Sequence, residues 1–311
     1  MSPVHGIHHI TAIASDPQKT VDFYTHILGL RLVKQTVNQD DTATYHLFFG
    51  DKTGEPGMDL TFFTFQPAMQ GSRGAGQVTT ISLAVPEDSL SFWLDRFGEY
   101  KVKHSPITEF FSTKRITFYD QDDQRLELVG VGESIDSMAG DVWTKTIPHA
   151  QAIRSFYSAR LTLPKLSYIE AIITFLGYEK RQTEGTCTQY GLNHTTRASL
   201  LEIEAGSHEE GIGAAGTVHH IAFAVTDLDH ELSLRQGLIE LGFYPTQVIN
   251  RFYFHSVYFR TPGGILFELA TMGPGFIADE DESTLGTNLS LPPFLEDQRP
   301  TIEAGLPPLK L

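Results

Sequence analysis

The strongest constraint on how this chain can fold is a pattern that recurs along it. Gly6-Ile-His-His-Ile-Thr-Ala-Ile-Ala14, Gln77-Val-Thr-Thr-Ile-Ser-Leu-Ala-Val85 and Thr217-Val-His-His-Ile-Ala-Phe-Ala-Val225 are short alternating segments, each followed by a helix-like stretch. After the first, residues 18–28 place Val21, Phe23, Tyr24 and Leu28 at helical spacing, and Gly29 stands where a helix C-terminus favours glycine. After the last, residues 228–241 run to Gly242 in the same way. The endings repeat too: residues 114–129 parallel residues 255–270, and both read as β-hairpins, the second turning through Thr261-Pro-Gly-Gly264. Four βαβββ units result, at 4–66, 77–132, 141–206 and 217–272. The third is the most degenerate, marked by Phe156-Tyr157 and the closing segment Ser199-Leu-Leu-Glu-Ile203. The predicted fold is α+β, with mixed sheets curled into a cup. Residues 71–76 and 133–141 read as linkers, and 273–311, rich in Pro, Gly and acids, as a tail packed on the surface.

Strand parity picks out the chemistry, because alternate side chains of a strand face opposite sides of its sheet. Ile221, Phe223 and Val225 make a bulky face for a helix to cover. The opposite face carries His220, Ala222 and Ala224, a histidine beside two small residues with room for a ligand. In the closing strand Ile265, Phe267 and Leu269 are bulky, while Leu266, Glu268 and Ala270 share the other side. A carboxylate centred in such a strand is costly to bury unless paired or metal-bound. Tyr258, on the hairpin partner, lies opposite Val257 and Phe259; His9 and Thr11 share a face opposite Ile10. Parity therefore selects the second histidine of each pair and turns His8 and His219 away.

Two histidines and one carboxylate are the donor set of the non-haem Fe(II) facial triad, which leaves positions open for substrate and oxygen. With no thiolate on offer, Fe(II), or Mn(II) as an alternative, fits His9, His220 and Glu268 better than a structural zinc. A lone strand histidine is most often structural, but His-His pairs at the same place in two repeats, beside a central glutamate, are poorly explained by coincidence. The second unit keeps Glu127 but has Thr79-Thr80 in place of the histidines, and the third has none near Thr144. Only the first and fourth units can build the site, so they must face each other. Glu127 is then expected to be metal-free and partly solvated.

Composition excludes other classes. A net charge of −15, from 23 Lys and Arg against 38 Asp and Glu, argues against nucleic acid, whose phosphates need clustered cations. No apolar run approaches the ~18 residues that a membrane helix needs. A single cysteine, Cys187, rules out an intramolecular disulfide framework and points to the cytoplasm; its polar surroundings offer nothing to activate it as a nucleophile. Homo-oligomer formation is compatible with all of this.

These residues carry a resemblance. Gly6-Ile-His-His-Ile-Thr-Ala, Leu28-Gly-Leu-Arg-Leu-Val-Lys-Gln-Thr-Val-Asn38, Thr44-Tyr-His-Leu-Phe-Phe-Gly50 and Tyr253-Phe-His-Ser-Val-Tyr-Phe-Arg-Thr-Pro-Gly-Gly-Ile-Leu-Phe-Glu268 resemble the vicinal oxygen chelate superfamily. Within it they look like the hydroquinone-type ring-cleaving dioxygenases, including the methylhydroquinone-responsive and dichlorohydroquinone enzymes. The resemblance extends through nearly the whole chain, to Phe276, Asp279-Glu-Asp-Glu282 and Leu291-Pro-Pro293. It implies two glyoxalase-like modules, at 1–140 and 141–272, ahead of the tail at 273–311. The family's metal ligands match His9, His220 and Glu268, the set already selected by parity. Its positions around the metal and substrate carry over to His8, Thr11, His219, Arg251 and Tyr258.

The implied activity is an extradiol-like opening of a hydroquinone or catechol ring by O2, with both oxygen atoms incorporated, in aromatic catabolism or detoxification. Tyr258 and Arg251 would orient or neutralise the substrate oxygen. The remaining histidines, His26, His46, His104, His149, His194, His208 and His230, share no spacing and read as solvated or hydrogen-bonded, and His255 as structural. A glyoxalase-like isomerase or metal-dependent thiol transferase is the rival enzyme. It commonly uses a further carboxylate, where the first unit ends in Asp59-Leu-Thr-Phe-Phe-Thr-Phe65. A metal-free sequestering protein on the same fold is the rival from another class, and it has no use for two histidines and a carboxylate on one face.

Overall fold

The computed structural model describes residues 2–206 and 209–311, so His208 lies outside the described residues. The first unit supplies β1 (Ile7–Ala14), β2 (Arg31–Asn38), β3 (Asp41–Gly50) and β4 (Asp59–Thr64). The second supplies β5 (Gln77–Pro86), β6 (Thr108–Phe110), β7 (Thr113–Tyr119) and β8 (Arg125–Val131). The third supplies β9 (Ser155–Leu163), β10 (Glu179–Glu184), β11 (Cys187–Gly191) and β12 (Leu200–Ala205). The fourth supplies β13 (Thr217–Val225), β14 (Ile249–Asn250), β15 (His255–Arg260) and β16 (Leu266–Thr271).

These strands form two curled eight-stranded sheets, ordered β14-β15-β16-β13-β1-β4-β3-β2 and β10-β11-β12-β9-β5-β8-β7-β6. At the centre of each, the first strands of two units pair antiparallel, β1 with β13 and β5 with β9. Each first strand also pairs in parallel with the last strand of its own unit. Units one and four thus share one sheet, as the distribution of histidines requires, and units two and three share the other. Each sheet draws on chain from both sides of residue 140.

Local chemistry sets the helices that cover these sheets. Asp16 accepts from the Lys19 amide at 3.0 Å and Pro17 follows it, a favourable start for α1 (Pro17–Val21), which widens into a π-turn over Asp22–Ile27. Gly29 ends it at φ +74°, where an added Cβ would lie 2.2 Å from Ile147. The second and third units carry α2 (Leu90–Glu99) and α3 (Glu170–Phe175). Asp227 caps α4 (Leu228–Glu240) by accepting from the His230 amide at 2.9 Å. The bulky strand faces, Ile221, Phe223, Phe267 and Leu269 among them, join Leu234 and Leu238 of that helix in one continuous apolar core.

The third unit departs from expectation. Its first strand begins at Ser155 rather than near 141, and Phe156-Tyr157 open that strand, ahead of the alternating run Ser158-Ala-Arg-Leu-Thr-Leu. Aromatic residues favour the pleated, half-buried surface they occupy here. The tail ends in α5 (Arg299–Gly305) and lies against the first unit: Leu291, Leu295 and Ile302 enclose Val37, and the Tyr45 hydroxyl donates to the Pro307 carbonyl at 2.9 Å. Lys34, wholly buried, reaches the tail through Asp279 at 2.8 Å and Glu280. Among the described residues no helix is long and apolar enough to cross a membrane.

Candidate metal centre

Pairing of β1 with β13 sets Thr11 opposite His220 and His9 opposite Ala222, while β13 sets Ala222 beside Glu268 of β16. Three side chains from three adjacent strands therefore converge in the cup. His9 Nε2 and His220 Nε2 are 3.1 Å apart, and Glu268 Oε2 lies 3.2 Å from the first and 2.9 Å from the second. All three residues are buried. Among the described residues they are the group of three or more such donors close enough together to hold a metal ion.

An ion about 2.1 Å from each of two donors sets those donors about 3.0–3.4 Å apart, depending on its coordination number. The three donors here lie 2.9–3.2 Å from one another, close enough to share one ion. Glu268 Oε2 makes no hydrogen bond of acceptable geometry, although its other oxygen accepts from the Ser256 hydroxyl at 2.5 Å. A buried carboxylate oxygen left this way, facing two imidazole nitrogens, fits a donor set that would hold a cation.

His8 and His219 face away from the cup, as parity predicts, yet each touches its neighbour. The Thr271 carbonyl can only accept, so His8 Nε2–H donates to it at 3.2 Å and His8 Nδ1 carries a lone pair. That lone pair accepts a hydrogen bond from His9 Nδ1–H at 3.0 Å, which leaves His9 Nε2 unprotonated towards Glu268 and His220. Burial, reinforced by His9, lowers the His8 pKa to about 3, so the ring stays neutral. A register shift between Ile7 and His9 produces this contact, since a bulge re-aims the side chain within it. His219 Nδ1 lies 2.8 Å from His220 Nδ1 in the matching place. Replacing His8 by phenylalanine is expected to weaken metal binding about 10–100-fold, while glutamine, whose Oε1 can accept the His9 proton, restores part of it. Chelator competition on folded protein measures both; equal affinities in all three proteins would refute the orienting role.

The cup has an empty volume of about 440 Å³ and is walled by Phe48, Phe63, Tyr253, Phe254 and Tyr258, with His46, Arg251 and Asp40 completing it. The Thr11 hydroxyl is 2.9 Å from His220 Nε2 and 2.7 Å from Thr61 Oγ1, which lies 2.9 Å from His46 Nε2. Burial, then His9 and His220, drive the His46 pKa well down. His46 is thus hydrogen-bonded, as expected, but it belongs to the site, which its lack of shared spacing concealed. Parity on β3 gives the missing signal: Tyr45, Leu47 and Phe49 join the core, so His46 and Phe48 face the cup. By register, Thr61 stands where Glu268 does in the fourth unit, so the further carboxylate wanted by the rival enzymes is a threonine.

The second sheet carries the counterpart cup. There Thr80 occupies the place of His220, Ser158 that of His9, Glu127 that of Glu268 and Glu202 that of Thr61. Glu127 is not partly solvated. It is 3% exposed, 3.1 Å from Arg115 and 3.4 Å from Arg160, and both arginines also contact Glu202, each at 2.8 Å. Cys187 borders this cup; burial pushes its thiol up to about 12, far from an activated nucleophile. His26 is exposed, His104 and His149 make local hydrogen bonds, and His230 Nε2 lies 3.0 Å from the Ser2 carbonyl.

The model of the Glyoxalase/Bleomycin resistance protein/Dioxygenase superfamily matches residues 6–128 and 77–269. The chain belongs to this superfamily. Within it, "Putative ring-cleaving dioxygenase MhqA" of Bacillus subtilis is 36% identical over 99% of each chain. "Chlorohydroquinone/hydroquinone 1,2-dioxygenase" of Sphingobium indicum is 34% identical over 94% of this chain and 93% of its own length. A crystal structure of a putative dioxygenase from Bacillus subtilis superposes with a TM-score of 0.94 at 38% identity, covering 100% of this chain and 99% of that one. The superfamily fold thus accounts for the paired sheets, and relatives that span the full chain bear ring-cleaving dioxygenase names.

Proposed function

We propose that this superfamily member is an Fe(II)-dependent dioxygenase that opens the ring of hydroquinones and related dihydroxyarenes, with Mn(II) as the alternative metal. The observation that carries the reading is the convergence of His9, His220 and Glu268 within 3.2 Å of one another on the floor of an aromatic cup. Full-length similarity to proteins named for ring cleavage supports it. In a 1,4-diol the two hydroxyl-bearing carbons are not neighbours, so the cleaved bond joins one of them to the adjacent carbon, which is the extradiol-like course. Addition of O2 across that bond puts both oxygen atoms in the product and consumes no external reductant.

When bound, the metal supplies a Lewis-acidic template that gathers the two reactants. The chain's own residues do the rest. Phe48, Phe63 and Phe254 flank the ring and exclude water. Tyr258 stays protonated because burial, followed by Glu268, raises its phenol pKa, so it donates to a substrate oxygen. His46 is kept neutral by burial; with Nε2 engaged by Thr61, Nδ1 is left to accept the proton of a substrate hydroxyl. The Thr11–Thr61 pair links that histidine to the metal face.

Protein loaded anaerobically with Fe(II), then given methylhydroquinone and air, is expected to take up one O2 per ring. With labelled dioxygen, both label atoms should appear in the ring-opened product by mass spectrometry. Absence of oxygen uptake across hydroquinones and catechols, with iron demonstrably bound, would defeat the dioxygenase reading.

A further inference from the structure

The mouth of the cup holds a charge pair whose consequence is substrate selection. Among the described residues lining the cup, Arg251 is the one lysine or arginine, since His9, His46 and His220 are imidazoles. Its guanidinium is not free. Arg251 Nη2 donates to Asp40 Oδ2 at 2.9 Å and Nη1 to Asp40 Oδ1 at 3.3 Å, the two-pronged geometry in which a carboxylate satisfies a guanidinium. The arginine side chain is 16% exposed and the aspartate 73%, so at the rim of the cup the cation is the enclosed partner and its counter-charge the more solvated one. Gln39 fixes the arrangement by donating to the Arg251 carbonyl at 2.9 Å, binding the β2–β3 turn to the segment ahead of β15.

An anionic ring substituent entering this cup meets apolar aromatic walls, the Glu268 carboxylate and an arginine already neutralised. Burying a carboxylate without a partner is costly. A methyl group or a chlorine instead gains by burial against Phe48, Phe63 and Phe254. We propose that Asp40 is a specificity-determining residue: by occupying Arg251, it restricts the cup to dihydroxyarenes with uncharged ring substituents and rejects carboxylated ones. This inference rests on the ring-cleavage reading for the identity of the ligand class.

Anaerobic calorimetry on metal-loaded protein separates the two, because it measures binding whether or not the ring is cleaved. The wild type is expected to bind methylhydroquinone much more tightly than 2,5-dihydroxybenzoate. In Asp40→Asn the ratio of the two affinities should narrow about tenfold, through tighter binding of the carboxylated ring. Adding Arg251→Met to that variant should abolish the gain. Equal affinity of the wild type for both rings, or an unchanged ratio in Asp40→Asn, overturns the proposal and leaves ring cleavage untouched. Methylhydroquinone that binds with the expected selectivity but is never cleaved overturns the reaction and leaves the selectivity standing. If neither ring binds, both fall.

Discussion

Replacing Glu268 by glutamine is expected to yield folded protein that cannot keep its metal: chelator competition should show at least a 100-fold loss of affinity, and oxygen uptake should fall by about a thousandfold or more. The substitution removes one negative charge and one strong oxygen donor while preserving shape. The amide can still accept from the Ser256 hydroxyl, so the packing of β15 on β16 need not change. What disappears is the anion that faces His9 at 3.2 Å and His220 at 2.9 Å. Neutral imidazoles alone offer a divalent ion no charge compensation in a fully buried site, and the lost donor cannot be replaced from Thr61, whose hydroxyl is engaged by Thr11 and His46. Iron content after gel filtration, the chelator titration and the melting temperature of the metal-free form are the deciding measurements. A variant that retains a full equivalent of iron and turns over normally would remove Glu268 from the metal site. A metal-free form that melts far below the metal-free wild type would show instead that Glu268 holds the fold.

Much of this site was legible in the sequence because strand parity is a strict geometric rule. Once the His-His pairs, Glu268 and Tyr258 are placed on strands, their faces follow, and the need for the first and fourth units to meet follows from which repeats keep histidine. The parts that parity could not supply have physical reasons. The contacts of His8 and His219 run along a strand edge between neighbours, and the local register shift behind the first of them has no sequence signature. His46 has no counterpart among the repeats, so repetition does not mark it, although alternation along β3 marks its face. Asp40 and Arg251 lie 211 residues apart on two turns, where no periodicity applies. The start of the third unit, at Ser155 rather than near 141, is hidden because its repeat is degenerate and a long irregular segment precedes it.

Glu127 occupies the position in the second cup that Glu268 holds in the first, and Glu127→Gln is expected to have the opposite profile: iron content and turnover kept, stability lost. The second cup retains two carboxylates, Glu127 and Glu202, but has Thr80 and Ser158 where histidines would be needed. In place of a cation there are two guanidiniums, with Arg115 spanning both carboxylates at 3.1 and 2.8 Å and Arg160 at 3.4 and 2.8 Å. Ser82 and Ser158 add hydroxyl donors to Glu127 and Glu202, each at 3.1 Å. The network is buried: two carboxylates meet Arg115 and Arg160, with Arg125 a further 3.5 Å from Glu127, and Phe110 lies against the first two guanidiniums at 5.2 and 4.9 Å. Removing one partner from such a set leaves a buried charge uncompensated, which costs about 3–5 kcal/mol, or a drop in melting temperature of roughly 10 °C for a domain of this order. The first cup, built on the other sheet, is untouched by that loss. Thermal melts and iron analysis on the same preparation decide it. If Glu127→Gln melts with the wild type, the network contributes nothing to stability. If it loses iron as Glu268→Gln does, the assignment of a single metal centre to the first and fourth units is wrong.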